Sequence, residues 1–210
     1  MTKHPLHLAV ANALAETIEQ HFPGQYKLLR DPACDENCDG KQHLPLFVGP
    51  KKGRETRMCC VDLLILCAGE IRAIIEIEES GFLPTKICGK FLQAALANYF
   101  IHDSQPEGPL PYADKTSFIQ ILDSSKFPAS GSRKGGQVQL IEREIQSLLP
   151  LRRIMDYHLL LVAGKDDSNG LDTLRKLLDR FIPDTSLDEL RGITAGVRTF
   201  DYREKKDHCL

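Results

Sequence analysis

The stretch CCVDLLILCAGEIRAIIEIEES, residues 59–80, decides the fold. Two runs rich in β-branched residues and leucine, 59–67 and 71–79, flank Ala68-Gly69-Glu70. Such runs predict two antiparallel strands joined by a short glycine-containing turn. Asp62 stands near the start of the first strand, and Glu76 and Glu78 near the end of the second. In a hairpin turning at 68–70, residues 62 and 76 lie nearly opposite each other. Strand side chains alternate between faces, so Glu76 and Glu78 share a face with Ile74. Three carboxylates are therefore expected to gather at one end of the hairpin. Like charges that close raise each other's pKa unless a cation neutralises them. A hard divalent ion with oxygen ligands, Mg²⁺ or Mn²⁺, answers that need. The competing reading is a wet sheet end on which Glu76 and Glu78 are merely solvated.

Upstream of the hairpin, apolar residues recur at helical spacing from Pro5 to His21 (Leu8, Ala11, Leu14, Ala15, Ile18), and Pro23-Gly24 ends that helix. Tyr26 to Leu29 is a short strand. Residues 31–57 read as polar and irregular. Downstream, Pro84 suits the first turn of a helix running to about Ile101, with Ile87, Phe91, Ala94, Ala95 and Ala97 on its apolar face. Residues 103–116 read as a loop and 116–122 as a strand. A basic loop follows at 123–136. The remainder alternates as a helix at 137–149, a strand at 157–163 and a helix at 170–181. A last short helix is marked by the capping-box pattern Ser186-Leu187-Asp188-Glu189. A hairpin followed by βα repeats predicts a mixed sheet covered by helices, an α/β fold.

These residues carry a resemblance. Glu16 on the first helix, Val61-Asp62, a short turn, Glu76-Ile-Glu78 and then a helix resemble the PD-(D/E)-x-K, restriction endonuclease-like nuclease superfamily. Its α-β-β-β-α-β core corresponds to residues 5–122, with 130–210 as a C-terminal α/β extension of a single nuclease-like domain spanning 1–210. The resemblance implies metal-dependent phosphodiester hydrolysis of DNA by a restriction, defence or repair endonuclease. It implies Mg²⁺ or Mn²⁺ held by Asp62 and Glu76, with Glu16 completing the metal site. DNA is the implied partner, and a homodimer is compatible with it. Val61 replaces the motif's proline. Glu78 replaces its lysine, so the chain reads as the E-x-E variant. Glu78 then serves as general base or extra ligand, or a lysine has moved to the next helix. There Lys86, Lys90 and Gln93 form a polar stripe, and Lys90, well inside the helix, is the stronger candidate. The alternative function is a catalytically inactive relative that binds nucleic acid or a protein partner.

Composition bounds the rest. The 210 residues carry a formal net charge of −2, so no global field steers the chain onto nucleic acid. Any DNA contact needs local basic groups, for which Lys51, Lys52 and Arg54, and Lys126, Arg133 and Lys134, are the candidates. No apolar run approaches the ~18 residues that span a bilayer. The N-terminal stretch reads as an amphipathic helix and not as an export signal, so the expected compartment is the cytoplasm. The seven cysteines then read as free thiols. Cys67 and Cys88 are expected to be small buried hydrophobes. Cys34, Cys38 and Cys59 form an alternative structural zinc set, which the pattern does not favour because it lacks two C-x2-C pairs.

Overall fold

A computed structural model describes residues 4–35, 43–81, 83–103, 108–127 and 134–181. Within them the hairpin forms as β4 (Leu63–Cys67) and β5 (Glu70–Glu78). Leu63 pairs with Ile75, and Cys67 with Glu70 across the two-residue turn Ala68-Gly69. Both turn residues have positive φ, +50° and +80°. That is the geometry whose twist matches paired strands.

All five residues of β4 are buried. The strand lies between β5 and β1 (Tyr26–Arg30) and is covered on both faces, so Leu-Leu-Ile-Leu-Cys shows no alternation. On its other side β5 pairs in parallel with β7 (Leu110–Asp123), which pairs in parallel with β8 (Ile154–Val162). Two short strands, β2 (Leu44–Phe47) and β6 (Tyr99–Phe100), join β3 (Arg57–Val61) to the near end of β7. The described residues thus form an eight-stranded mixed sheet in the order β1-β4-β5-β7-β6-β2-β3, with β8 alongside β7.

Helices cover both faces. α2 (Pro84–Leu96) and α3 (Lys134–Ser147) share one core with Leu64, Ile74, Phe118 and Tyr157. α1 (Pro5–His21) and α4 (Ser168–Phe181) share the other with Leu63, Ile75, Ile77 and Ile121. Adjacent residues of β4 and β5 therefore serve opposite cores.

The α/β class and the mixed sheet agree with the sequence. Four local expectations need correction. The run 59–67 is two strands, because the chain leaves β2 at Val61 and joins β1 at Leu63, with Asp62 at the break. Residues 31–57 contain β2, whose four residues are all buried although two of them flank a proline. The second helix stops at Leu96, and Tyr99-Phe100 pairs with Leu110-Pro111, so the loop expected at 103–116 is partly strand. Cys67 is buried as expected, but Cys88 is exposed. The capping-box helix at 186–189, Cys38 and Arg133 lie outside the described residues.

Candidate metal centre

Asp62 sits where two strand systems part. Its carbonyl still accepts from Asp31 N–H at 2.8 Å, prolonging the β1–β4 ladder. β5 outruns β4, whose pairing ends at Leu63 with Ile75, so Ile77 N–H has no strand partner on that side. The Asp62 carboxylate fills the gap, Oδ2 accepting from Ile77 N–H at 2.7 Å. Buried backbone donors require such partners, and this one fixes the carboxylate at the sheet's end.

Glu76 precedes Ile77, the residue whose N–H holds Asp62, and the two acids are near enough to act on each other's charge. It is 3% exposed, on the face that α2 covers. Lys90, in the middle of α2, donates Nζ–H to Glu76 Oε2 at 2.5 Å. Burial, reinforced by the Asp62 charge, pushes the Glu76 carboxyl up to about 8 despite Lys90. Burial works against the Asp62 charge as well. There His7, Lys90 and the Ile77 N–H outweigh it and hold the group below the usual carboxylate range. For Lys90 the desolvation cost is likewise outweighed, by Glu76 and Asp62, and its pKa rises. Two adjacent acids with pKa values driven apart, plus one ammonium, form a cluster in which one acid holds its proton at neutral pH.

Glu78 enters the same cleft but is otherwise engaged. Its Oε1 accepts from Ser80 N–H at 3.0 Å and from the Ser80 hydroxyl, and its Oε2 lies 2.5 Å from Lys86 Nζ. Burial notwithstanding, Lys86 and Ser80 keep its pKa low. Asp62, Glu76 and Glu78 do not close on one point as a threesome. Among the described residues, the only three metal-ligating groups within 4.8 Å of one another are His4, His7 and Glu79. The structure does not bring Glu16 to this place either. Its carboxylate lies on the surface, 3.6 Å from Arg175 of α4. At 1.5 Å rise per residue it stands roughly 13 Å along α1 from His7.

The residue of α1 that faces Asp62 is His7, which the sequence reading passed over. Its Nε2 is 3.7 Å from Asp62 Oδ1 and its Nδ1 is 3.2 Å from Glu79 Oε1. Burial opposes charging of the ring, but Asp62 and Glu79 together raise its pKa. Glu79 Oε1 also accepts from Leu6 N–H at 2.6 Å and His7 N–H at 3.1 Å. A carboxylate from the end of β5 thereby caps α1, whose own N-cap His4 makes no side-chain capping bond. The available signal was His4-Pro-Leu-His7, two imidazoles three residues apart at a helix start, followed far downstream by Glu79 directly after the E-x-E motif.

These groups line an open cleft of about 420 Å³, walled also by Lys86, Lys90 and Lys126. The candidate zinc thiols are elsewhere. Cys34 packs into the α1 side of the sheet and Cys59 against the α2 side. Burial raises both thiols, Cys59 to about 12, which disfavours the thiolate a metal needs. Of the basic groups considered for DNA, Lys126 reaches the cleft, donating to the Glu79 carbonyl, whereas Lys52 is paired with Asp103 at 2.7 Å. No described helix is long and apolar enough to cross a membrane. No protein-family model matches the chain, and comparison with curated proteins and with solved structures finds none similar to it.

Proposed function

We propose that this protein is a metal-dependent phosphodiesterase acting on DNA, of the restriction endonuclease-like type, with Mg²⁺ or Mn²⁺ bound by Asp62 and Glu76. The observation that carries the reading is the half-buried Asp62 carboxylate on the wall of an open cleft, with the buried Glu76 carboxyl, whose pKa it raises, just behind that wall. Its donors are all oxygen, the set a hard cation takes. Ionised together the two acids would outweigh Lys90, an excess of negative charge that a divalent ion relieves. Bound there, the ion would polarise a phosphate and acidify a water molecule for in-line attack.

The protein's own groups have separable tasks. Asp62, anchored by Ile77 N–H, presents Oδ1 without having to reorganise. Lys90 brings to Glu76 the ammonium that the motif ordinarily supplies two residues later, and it would orient the attacking water or a phosphate oxygen. Glu78, held by Lys86 and Ser80, supports the cleft wall. Lys86, Lys90 and Lys126 on that wall would offer phosphate contacts once a bound cation offsets the carboxylates they now pair with.

The test is incubation of plasmid DNA with the purified chain and Mg²⁺ or Mn²⁺, beside an EDTA control and the Glu76→Gln variant. Cation-dependent nicking that disappears in the variant is expected. DNA retention without cleavage, indifferent to cation and to Glu76→Gln, would transfer the protein to the non-catalytic, binding class.

A further inference from the structure

We propose that His4, His7 and Glu79 form a second cation site, specific for a borderline metal of the zinc class. It is distinct from the Asp62–Glu76 pair and independent of the hydrolytic reading.

The donors converge from two elements. His4 is the N-cap of α1, His7 lies one turn on, and Glu79 follows the last residue of β5. Their ligand atoms lie within 4.8 Å of one another. Glu79 Oε2 is 3.7 Å from His4 Nδ1, and Glu79 Oε1 is 3.2 Å from His7 Nδ1. Metal–nitrogen bonds of about 2.0–2.1 Å in a tetrahedron give ligand-to-ligand edges of roughly 3.3–3.4 Å. The donors thus stand close to coordination spacing. Helix capping accounts for Glu79 Oε1, which receives the Leu6 and His7 amides. It leaves Oε2 outside the cap, facing the His4 ring at 3.7 Å.

His7 supplies an observation of its own. The residue is only 7% exposed, yet its Nδ1 has no hydrogen-bond partner of acceptable geometry. Buried ring nitrogens are rarely left so. Its Nε2 meanwhile faces Asp62 Oδ1. A carboxylate on the far nitrogen of an imidazole fixes the tautomer that frees the near nitrogen's lone pair for a metal. His7 thus has a carboxylate 3.7 Å from its far nitrogen, within a small ring movement of the orienting hydrogen bond, and its ligand atom unsatisfied. Two imidazoles and one carboxylate suit Zn²⁺ or Co²⁺ better than Mg²⁺. The half-exposed His4 ring and the adjoining cleft leave the fourth position open to water or an anionic oxygen.

The experiment is titration of chelator-treated full-length protein with Co²⁺, followed by its visible absorption and by calorimetry, with Zn²⁺ as competitor. One equivalent of Co²⁺ should bind with a visible band that Zn²⁺ abolishes. His4→Ala, at an exposed position that spares the core, should weaken binding roughly tenfold or more with an unchanged circular dichroism spectrum. Glu76→Gln should leave Co²⁺ binding intact even if it abolishes Mg²⁺ binding or DNA cleavage. Absence of a visible band, or a thiolate charge-transfer band, would overturn the proposal. So would equal affinity in wild type and His4→Ala, or loss of Co²⁺ in Glu76→Gln alone.

Discussion

The ammonium of Lys90, carried by α2, lies 2.5 Å from Oε2 of Glu76, carried by β5, and both side chains are largely buried. The contact joins the acidic sheet end to the helix that crosses over it. Lys90→Met removes the charge while keeping the length and most of the apolar stem of the side chain. Metal-dependent cleavage should fall by about 10²-fold or more, the range for loss of a positioned proton-transfer group. The fold should persist, because Glu76, its carboxyl raised to about 8, already holds its proton at neutral pH and leaves no stranded charge. A plasmid-nicking time course alongside circular dichroism checks both. Undiminished cleavage would remove Lys90 from the site.

The displaced pKa of Glu76 makes stability depend on pH in a definite direction. Its carboxyl rises from the ordinary 4.5 to about 8 in the folded chain. Between those values the folded protein keeps a proton that the unfolded chain has released. Metal-free protein therefore loses stability as pH climbs from about 5 to about 8. Glu76→Gln, an isostere of the protonated acid, should match wild type near pH 5 and exceed it at pH 8. The ceiling is about 5 kcal/mol, at 1.36 kcal/mol for each pKa unit. Denaturant melts with EDTA at both pH values measure the difference. A gap that stays constant with pH would mean that Glu76 is ionised throughout.

The same pKa sets how a cation binds. An ion entering beside Glu76 must expel its proton, so apparent Mg²⁺ affinity should rise up to about tenfold per pH unit below 8 and level off above it. Calorimetry in buffers of different ionisation enthalpy would show up to one proton released per ion near pH 7. Proton-neutral, pH-independent binding would place the ion elsewhere.

The sequence disclosed the hairpin, because apolar runs are broken at Ala68-Gly69. The turn is two residues and not the expected 68–70, and a register shift between Ile65 and Leu66 restores the offset that brings Leu63 opposite Ile75 and so Asp62 towards Glu76. The helix over Pro5–His21 and the start of the next at Pro84 were equally visible from their spacing, though not its end at Leu96. Less visible were β2 and β6, of four and two residues, which are strands only because a distant partner pairs with them. Nor did periodicity mark the break at Asp62, since both halves of 59–67 are apolar. For the site, alternation put Glu76 and Glu78 on one face but carried no hint that Ser80 and Lys86 would take Glu78 away. Glu16 and His7 are both polar residues of α1. Only the angle at which that helix crosses the sheet end decides that His7 arrives at Asp62 and Glu16 meets Arg175.

The hairpin turn offers a stability test remote from the acids. Ala68 adopts φ of +50°, where its Cβ is crowded, at the first position of the turn. Asn tolerates that region and with Gly69 makes the preferred dipeptide for a two-residue hairpin loop. Ala68→Asn should stabilise the protein by roughly 0.5–1 kcal/mol, seen as a higher denaturation midpoint with the m-value unchanged. No increase would mean that the turn is not held in this conformation in solution.

Asp62 has two duties that paired substitutions can separate. Its Oδ2 satisfies Ile77 N–H, a structural task, and its charge would hold a cation, a chemical one. Asn retains an oxygen that can accept from Ile77 but carries no charge. Ala retains neither. Asp62→Asn should therefore lose metal binding and cleavage while unfolding within about 1 kcal/mol of wild type. Asp62→Ala should lose both functions and a further 1–3 kcal/mol or so, the cost of stranding a buried amide. The comparison belongs at neutral pH, where Asp62, held below the usual carboxylate range, is ionised. If the two variants are equally stable, the hydrogen bond to Ile77 contributes nothing. If Asp62→Asn still takes up Mg²⁺ like wild type, the ion does not need this carboxylate, and the hydrolytic reading loses its foundation.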